Sequence, residues 1–179
     1  MSQLSPASLF HLKGKSALVV GATGALGGAA ARALAAAGAN IILTGSNNET
    51  LSTLAEELRQ TGSDVSVHCG RPSDEQAVKD IFATACASNP VDIVVCASGT
   101  SVVKPIDDMS PEEFDRVMDA NVKQSWLISR EASRVMKAQG RGGKIILVSS
   151  VRAHFATAAG TSAYGTSKAA INMLTRSLA

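Results

Sequence analysis

Tyr164 and Lys168 stand four residues apart in the stretch Ala-Tyr-Gly-Thr-Ser-Lys-Ala-Ala. On a helix that spacing puts both side chains on one face, a turn apart. A phenol titrates near ~10 in water and is a poor base at neutral pH. An ammonium about 4 Å away, at an effective dielectric near 20, supplies about 4 kcal/mol, enough to bring such a phenol down by about three units. The pair therefore reads as an acid–base couple. Ser150, fourteen residues before the tyrosine, offers a second hydroxyl. A carbonyl oxygen that gains negative charge needs a proton donor and a further hydrogen bond, and Tyr164 and Ser150 are of the types that supply them.

A second constellation, Gly21, Gly24 and Gly27, forms Gly-x-x-Gly-x-x-Gly between a β-branched run and an alanine-rich run. Between a strand and a helix such a turn lets the backbone approach a pyrophosphate, and the helix N-terminus adds unpaired N–H groups and a positive dipole end.

The elements that must position these residues alternate. Strands are expected at 16–20, 40–44, 64–69, 91–97 and 144–149. Helices are expected at 29–37, through Leu51, Leu54, Ala55 and Leu58, from a Ser73 cap through Val78, Ile81 and Phe82, from a Ser110 capping box with Pro111 and Glu113, and from 162 onward. The fourth strand is apolar except for Asp92 and belongs at the sheet centre. This order predicts one α/β domain, 1–179, with a doubly wound parallel sheet (Rossmann fold). No strand follows the last helix, so the domain is expected to lack its C-terminal strands.

Composition excludes several classes. The 179 residues, 45% apolar and 18% charged, suit one soluble core, and a net charge of +2 spread along the chain gives no nucleic-acid footprint. The basic series Arg130, Arg134, Lys137, Arg141 and Lys144 reads as a solvated face. The alanine-rich stretch is broken by Arg32, Gly38 and Asn40, far short of the ~20 apolar residues of a membrane span. The N-terminus has no secretory pattern, so the cytoplasm is the expected compartment. Cys69, Cys86 and Cys96 include no Cys-x-x-Cys pair and read as reduced, buried thiols rather than metal ligands.

Together the glycine turn, Asn121, Ser-Ser-Val-Arg-Ala with Ser150, and the Tyr164/Lys168 stretch resemble the short-chain dehydrogenase/reductase family over nearly the whole chain. The resemblance implies NAD(P)-dependent reduction of a carbonyl or oxidation of an alcohol. It makes Asn121, Ser150, Tyr164 and Lys168 the catalytic residues, with Asn121 positioning a water and Lys168 also holding the nicotinamide ribose. The dinucleotide would lie against Gly21, Thr23, Gly24, Leu26, Gly27, Ser46, Asn47, Ala97, Gly99, Tyr164 and Lys168. Family members are longer and commonly pair through the fourth and last helices, which implies a homodimer or homotetramer.

The chain departs from the family pattern at three places. Ala25 replaces the second glycine of Gly-x-x-x-Gly-x-Gly, a spacing closer to the extended members. Cys96-Ala97-Ser98-Gly99 replaces Asn-Asn-Ala-Gly. Cys69-Gly70-Arg71 stands where an adenine-binding aspartate is common. After the second strand comes Thr44-Gly45-Ser46-Asn47-Asn48, with no acid before Glu49 to bind a ribose 2′-hydroxyl and no arginine to bind a 2′-phosphate. NADP is the expected cofactor, with NAD the alternative. His154, Phe155, Ala158 and Ala159 on one side, and Val102, Val103 and Lys104 on the other, are expected at an apolar pocket mouth. Two rival readings are an extended-branch sugar-nucleotide epimerase or dehydratase, from the glycine spacing, and a non-catalytic dinucleotide-binding protein, from the departures.

Overall fold

Short β-branched runs and period-3.6 patterns become a parallel sheet with helices on both faces in the computed structural model, which describes residues 10–156 and 159–179. The strands are β1 (Ser16–Val20), β2 (Asn40–Gly45), β3 (Val65–Cys69), β4 (Ile93–Cys96) and β5 (Lys144–Leu147). The helices are α1 (Ala25–Ala36), α2 (Asn48–Gln60), α3 (Glu75–Ala85), α4 (Pro111–Met118), α5 (Gln124–Ala138) and α6 (Ser162–Leu178). The order β3-β2-β1-β4-β5 is wholly parallel. The chain winds outward from β1 to β3, then crosses back to β4 on the other side of β1. Ligands bind at such a switch point, outside the carboxyl ends of the strands.

Alternation sorts the core. Ala17, Val19, Ile41, Leu43, Ile93 and Val95 pack on one face with Ala31, Leu51 and Leu54 of α1 and α2. Leu18, Val20, Ile42, Val94 and Cys96 pack on the other with Ile81, Phe82, Ile128 and Ala132 of α3 and α5. At the opposite end of the sheet, Asp92 takes Lys15 Nζ at 3.0 Å, Arg141 Nη2 at 3.1 Å and the Ser16 N–H at 3.1 Å, which pins β1 to the start of β4.

Several expected boundaries move. Helix α1 begins at Ala25 rather than at 29, because Gly24 is its N-cap and Gly27 and Gly28 are already helical. It ends as expected before Gly38, whose φ is +92°. Helix α3 is capped by Asp74, whose Oδ1 accepts the Ala77 N–H at 2.9 Å, and Ser73 instead donates to Asp74. Strands β3, β4 and β5 are each shorter than expected, β3 by Asp64, β4 by Val91, Asp92 and Ala97, and β5 by Val148 and Ser149. The Ser110–Glu113 capping box forms, but the long helix it opens is interrupted by a π-helical turn, Asp119–Lys123, centred on Asn121. Such turns frequently mark functional sites.

The basic series is solvated as expected, with Arg130 paired to Glu75 and Arg134 to Glu131. Cys96 is buried, but Cys69 is exposed, contrary to expectation, because it closes β3 at the open end of the sheet. Among the described residues no helix is long and apolar enough to cross a membrane and no cluster of potential metal ligands occurs.

Candidate active site

Two glycines shape the turn after β1. Gly21 has φ +84°, and a Cβ on it would stand 2.6 Å from the Ser98 backbone nitrogen. A Cβ on Gly27 would run into the Gly21 carbonyl. Only glycine gives this close approach of helix to strand. Gly24 differs, since a Cβ there meets only the Gly21 oxygen at 3.4 Å. Ala25, the first helical residue, is exposed. The alanine therefore leaves the turn intact, and the glycine spacing that suggested an extended-branch enzyme reflects an N-cap rather than a different loop.

The turn forms one wall of a cleft of ≈ 480 Å³ across the carboxyl ends of the strands. Of the expected cofactor residues, Gly21, Thr23, Gly24, Ser46, Ala97 and Gly99 line it. Leu26, Gly27, Asn47, Tyr164 and Lys168 do not. Leu26 is 65% exposed, Gly27 is buried against the turn, and Asn47 caps α2 by accepting the Thr50 N–H at 2.9 Å. The cleft also holds two arginines, Arg71 and Arg116, and no carboxylate. Arg71 Nη2 donates to Ser46 Oγ at 3.4 Å. The arginine expected to be missing beside β2 is thus supplied from β3. Register is the reason: Gly45 pairs with Cys69, so the residues that follow these two strand ends are spatial neighbours.

None of the four catalytic candidates lines the cleft itself, and Asn121 is joined to it through Thr100. Ser150 caps the short helical turn Val151–Ala153, its Oγ accepting the Arg152 N–H at 3.2 Å. One lone pair is thereby used and the hydroxyl hydrogen stays free to donate. Lys168 is buried, donates from Nζ to the Val148 carbonyl at 2.9 Å, and lies 5.7 Å from the centroid of the Tyr164 ring. The helical spacing does bring the pair together. Burial pushes the Lys168 ammonium below the ordinary lysine value of 10.5.

A lysine lowered in the folded state costs stability while both states are protonated, and that cost is relieved as pH rises through the lowered value. Wild type is therefore expected to gain stability relative to Lys168→Met as pH rises toward 10.5. Paired urea titrations check this, and a flat difference would contradict it.

Asn121 is 1% exposed. Its Oδ1 accepts the Thr100 N–H at 2.7 Å, and its Nδ2 donates to the Thr100 carbonyl at 2.9 Å and to Ser167 Oγ at 2.8 Å. Both amide hydrogens are therefore spent within the protein, and the side chain ties the loop after β4 to α6. A Cβ on Gly99 would stand 2.8 Å from Asn121 Oδ1 and 3.6 Å from Lys168 Nζ, so the cleft wall rests directly on this group. Cys96 adds a contact of 3.5 Å from its Sγ to Ser125 Oγ. Asn121→Ala is expected to lower unfolding free energy by about 3 kcal/mol, since three bonds of a buried amide are lost. Urea denaturation reads the effect, and unchanged stability with lost turnover would assign the residue to the reaction instead.

The expected pocket-mouth residues are mixed. Phe155 and Val103 are 63% and 68% exposed, whereas Val102 is buried against Val117 and Ala163. His154 is exposed with its Nε2 2.9 Å from Asn172 Nδ2. Lys104 bonds the Gly160 carbonyl through its N–H at 2.9 Å and Glu113 through Nζ at 2.6 Å. Ala159 is exposed, and Ala158 lies outside the described residues.

Residues 15–179 match the family model described as short chain dehydrogenase. The chain belongs to the short-chain dehydrogenase/reductase family. An uncharacterized oxidoreductase of Mycobacterium tuberculosis is 45% identical to it over 172 residues, 95% of this chain and 63% of that protein. A short-chain type dehydrogenase/reductase from Mycobacterium marinum superposes with a TM-score of 0.94 at 34% identity, covering 100% of this chain and 72% of the other. A gluconate 5-dehydrogenase from Burkholderia cenocepacia, solved in complex with NADP and tartrate, gives a TM-score of 0.88 at 29% identity, covering 97% and 68%. The chain thus spans about 63% of the length of the first curated relatives it matches. As a short-chain dehydrogenase/reductase it has the Rossmann architecture expected of it, and within its described residues nothing pairs with the outer edge of β5.

Proposed function

We propose that residues 1–179 form one dinucleotide-binding domain carrying the catalytic residues of an oxidoreductase. The reaction is reversible hydride transfer between a nicotinamide dinucleotide and a small carbonyl or secondary alcohol. The observation that carries this reading is a glycine-walled cleft at the switch point, lined by two arginines and no carboxylate, resting through Gly99 on Asn121 and Lys168. A polyanionic dinucleotide fits it: the N-terminal amides of α1 face one side, and the arginines favour negative charge. The relative bound to NADP supports the same choice, with NAD the alternative. When bound, the dinucleotide supplies or accepts the hydride.

The chain's own residues do the rest. Ser150, its oxygen already held by Arg152, donates to the substrate oxygen and orients it. Tyr164 passes a proton to that oxygen during reduction and removes it during oxidation. The buried Lys168 ammonium, 5.7 Å from the Tyr164 ring centroid, places a positive charge beside that group. Asn121 is a positioning residue that holds the loop after β4 against α6.

Assembly as a homodimer or homotetramer and a cytoplasmic location belong to the same reading. Support comes from Trp126 on α5 and Met173 on α6, 48% and 59% exposed, and from free thiols at Cys69, Cys86 and Cys96 suited to a reducing compartment. The test is loss of reduced-nicotinamide absorbance on addition of keto-acids, β-ketoacyl thioesters and cyclic ketones. Turnover that falls about 10²-fold in Ser150→Ala supports the reading. Cofactor binding with no turnover on any carbonyl class would favour the non-catalytic alternative.

A further inference from the structure

We propose that Arg71, reaching from the end of β3, and Ser46, at the end of β2, together form a 2′-phosphate clamp that makes the cleft select NADP over NAD. This rests on the reading of the cleft as a dinucleotide site. Cofactor choice in sheets of this type is decided beside the second strand, where a carboxylate holds the two ribose hydroxyls and repels a 2′-phosphate. Here β2 ends in Gly45 and Ser46, and no carboxylate lines the cleft. The next acid along the chain, Glu49, faces a separate groove between α1 and α2. A ribose diol therefore finds no anionic acceptor on this wall.

What the wall offers instead is a guanidinium. Ladder pairing of Gly45 with Cys69 and the Gly70 N–H bond to the Gly45 carbonyl at 2.9 Å fix the two strand ends side by side. Arg71 then crosses the gap, with Nη2 at 3.4 Å from Ser46 Oγ. The exposed guanidinium makes no ion pair among the described residues, so it has donors to spare. A guanidinium fork matches phosphate oxygens bidentately, and a neighbouring hydroxyl adds a third donor. Gly45 completes the arrangement: a Cβ there would stand 2.8 Å from Thr23 Cγ2, so the floor under the clamp stays free of side chain.

The test is direct binding. NADPH and NADH are titrated calorimetrically into the full chain, into Arg71→Ala and Arg71→Lys, and into Arg116→Ala as the other cleft arginine. Wild type is expected to bind NADPH more tightly than NADH. Arg71→Ala should weaken NADPH by about 10- to 100-fold, the loss expected for charge-assisted hydrogen bonds, and change NADH by less than about twofold. Arg71→Lys should keep part of the preference, since a point charge replaces the fork. The excess salt sensitivity of NADPH over NADH should vanish in Arg71→Ala.

Equal losses for both dinucleotides would show Arg71 stacking on the adenine and would overturn the clamp. So would a selective loss in Arg116→Ala instead, or no change in Arg71→Ala. Binding of neither dinucleotide by wild type would overturn the cofactor reading itself, and the clamp with it. Arg71 is exposed, so matching melting curves will show that the variants are folded.

Discussion

Replacing Tyr164 with phenylalanine is expected to lower turnover about 10³-fold while leaving dinucleotide affinity within about twofold. Positioned acid–base groups contribute about 10²–10⁴ to rate, and this substitution removes only the proton-carrying oxygen. The ring stays, so its contact with the Lys168 ammonium, 5.7 Å from the centroid, is kept. The fold should be indifferent: the backbone carbonyl of Tyr164, not its hydroxyl, takes the Ser167 hydrogen bond at 2.7 Å. Ser150→Ala should cost less, about 10²-fold, because it removes a hydrogen bond to a developing charge rather than the proton source. Rates measured at saturating cofactor with one working carbonyl substrate decide the matter. A Tyr164→Phe enzyme that retains full turnover would remove the tyrosine from the mechanism.

The largest effect on folding is expected from Gly27→Ala, at about 3 kcal/mol or more, with loss of cofactor binding. The added methyl would meet the Gly21 carbonyl and come within 3.0 Å of the Ala22 Cα. Both are backbone atoms, so no rotamer change relieves the clash and the turn must open. In a chain of this size that corresponds to a fall in Tm of about 6–12 °C. Gly21 cannot move away, since its own φ of +84° and its approach to Ser98 already fix it. Gly24→Ala is the contrast: its Cβ would meet one oxygen at 3.4 Å, an ordinary contact, and a change under about 1 kcal/mol is expected, because alanine is a poorer N-cap than glycine. Thermal melts of both variants test the assignment, and a reversed ranking would show that the wrong glycine has been given the structural role.

Much of this was legible in the residues. The apolar runs of β1 and β2, the Ser110–Glu113 box, the glycine stop at Gly38 and the shared face of Tyr164 and Lys168 are local patterns, and each formed as read. The misread points are where local signals compete. Gly27 and Gly28 read as loop because glycine is a poor helix former, yet close packing on Gly21 requires glycine inside the first turn of α1. Ser73 and Asp74 are both good caps, and helix phase chose Asp74. The π turn at Asn121 carries no local signature. It is held by bonds to Thr100 and Ser167, 21 and 46 residues away in the chain.

By itself the sequence determined which segments become strands and helices, where the chain must turn, and which residue types are available for proton transfer. These follow from periodicity and backbone sterics within a few residues. Only the tertiary structure decided that Arg71 meets Ser46, that Asn121 spends its amide on Thr100 and Ser167, and that Gly99 joins the cleft to Lys168. Those meetings depend on the register of parallel strands and the docking of α6 on the sheet. Such contacts join residues far apart in the chain, and no spacing along it encodes them.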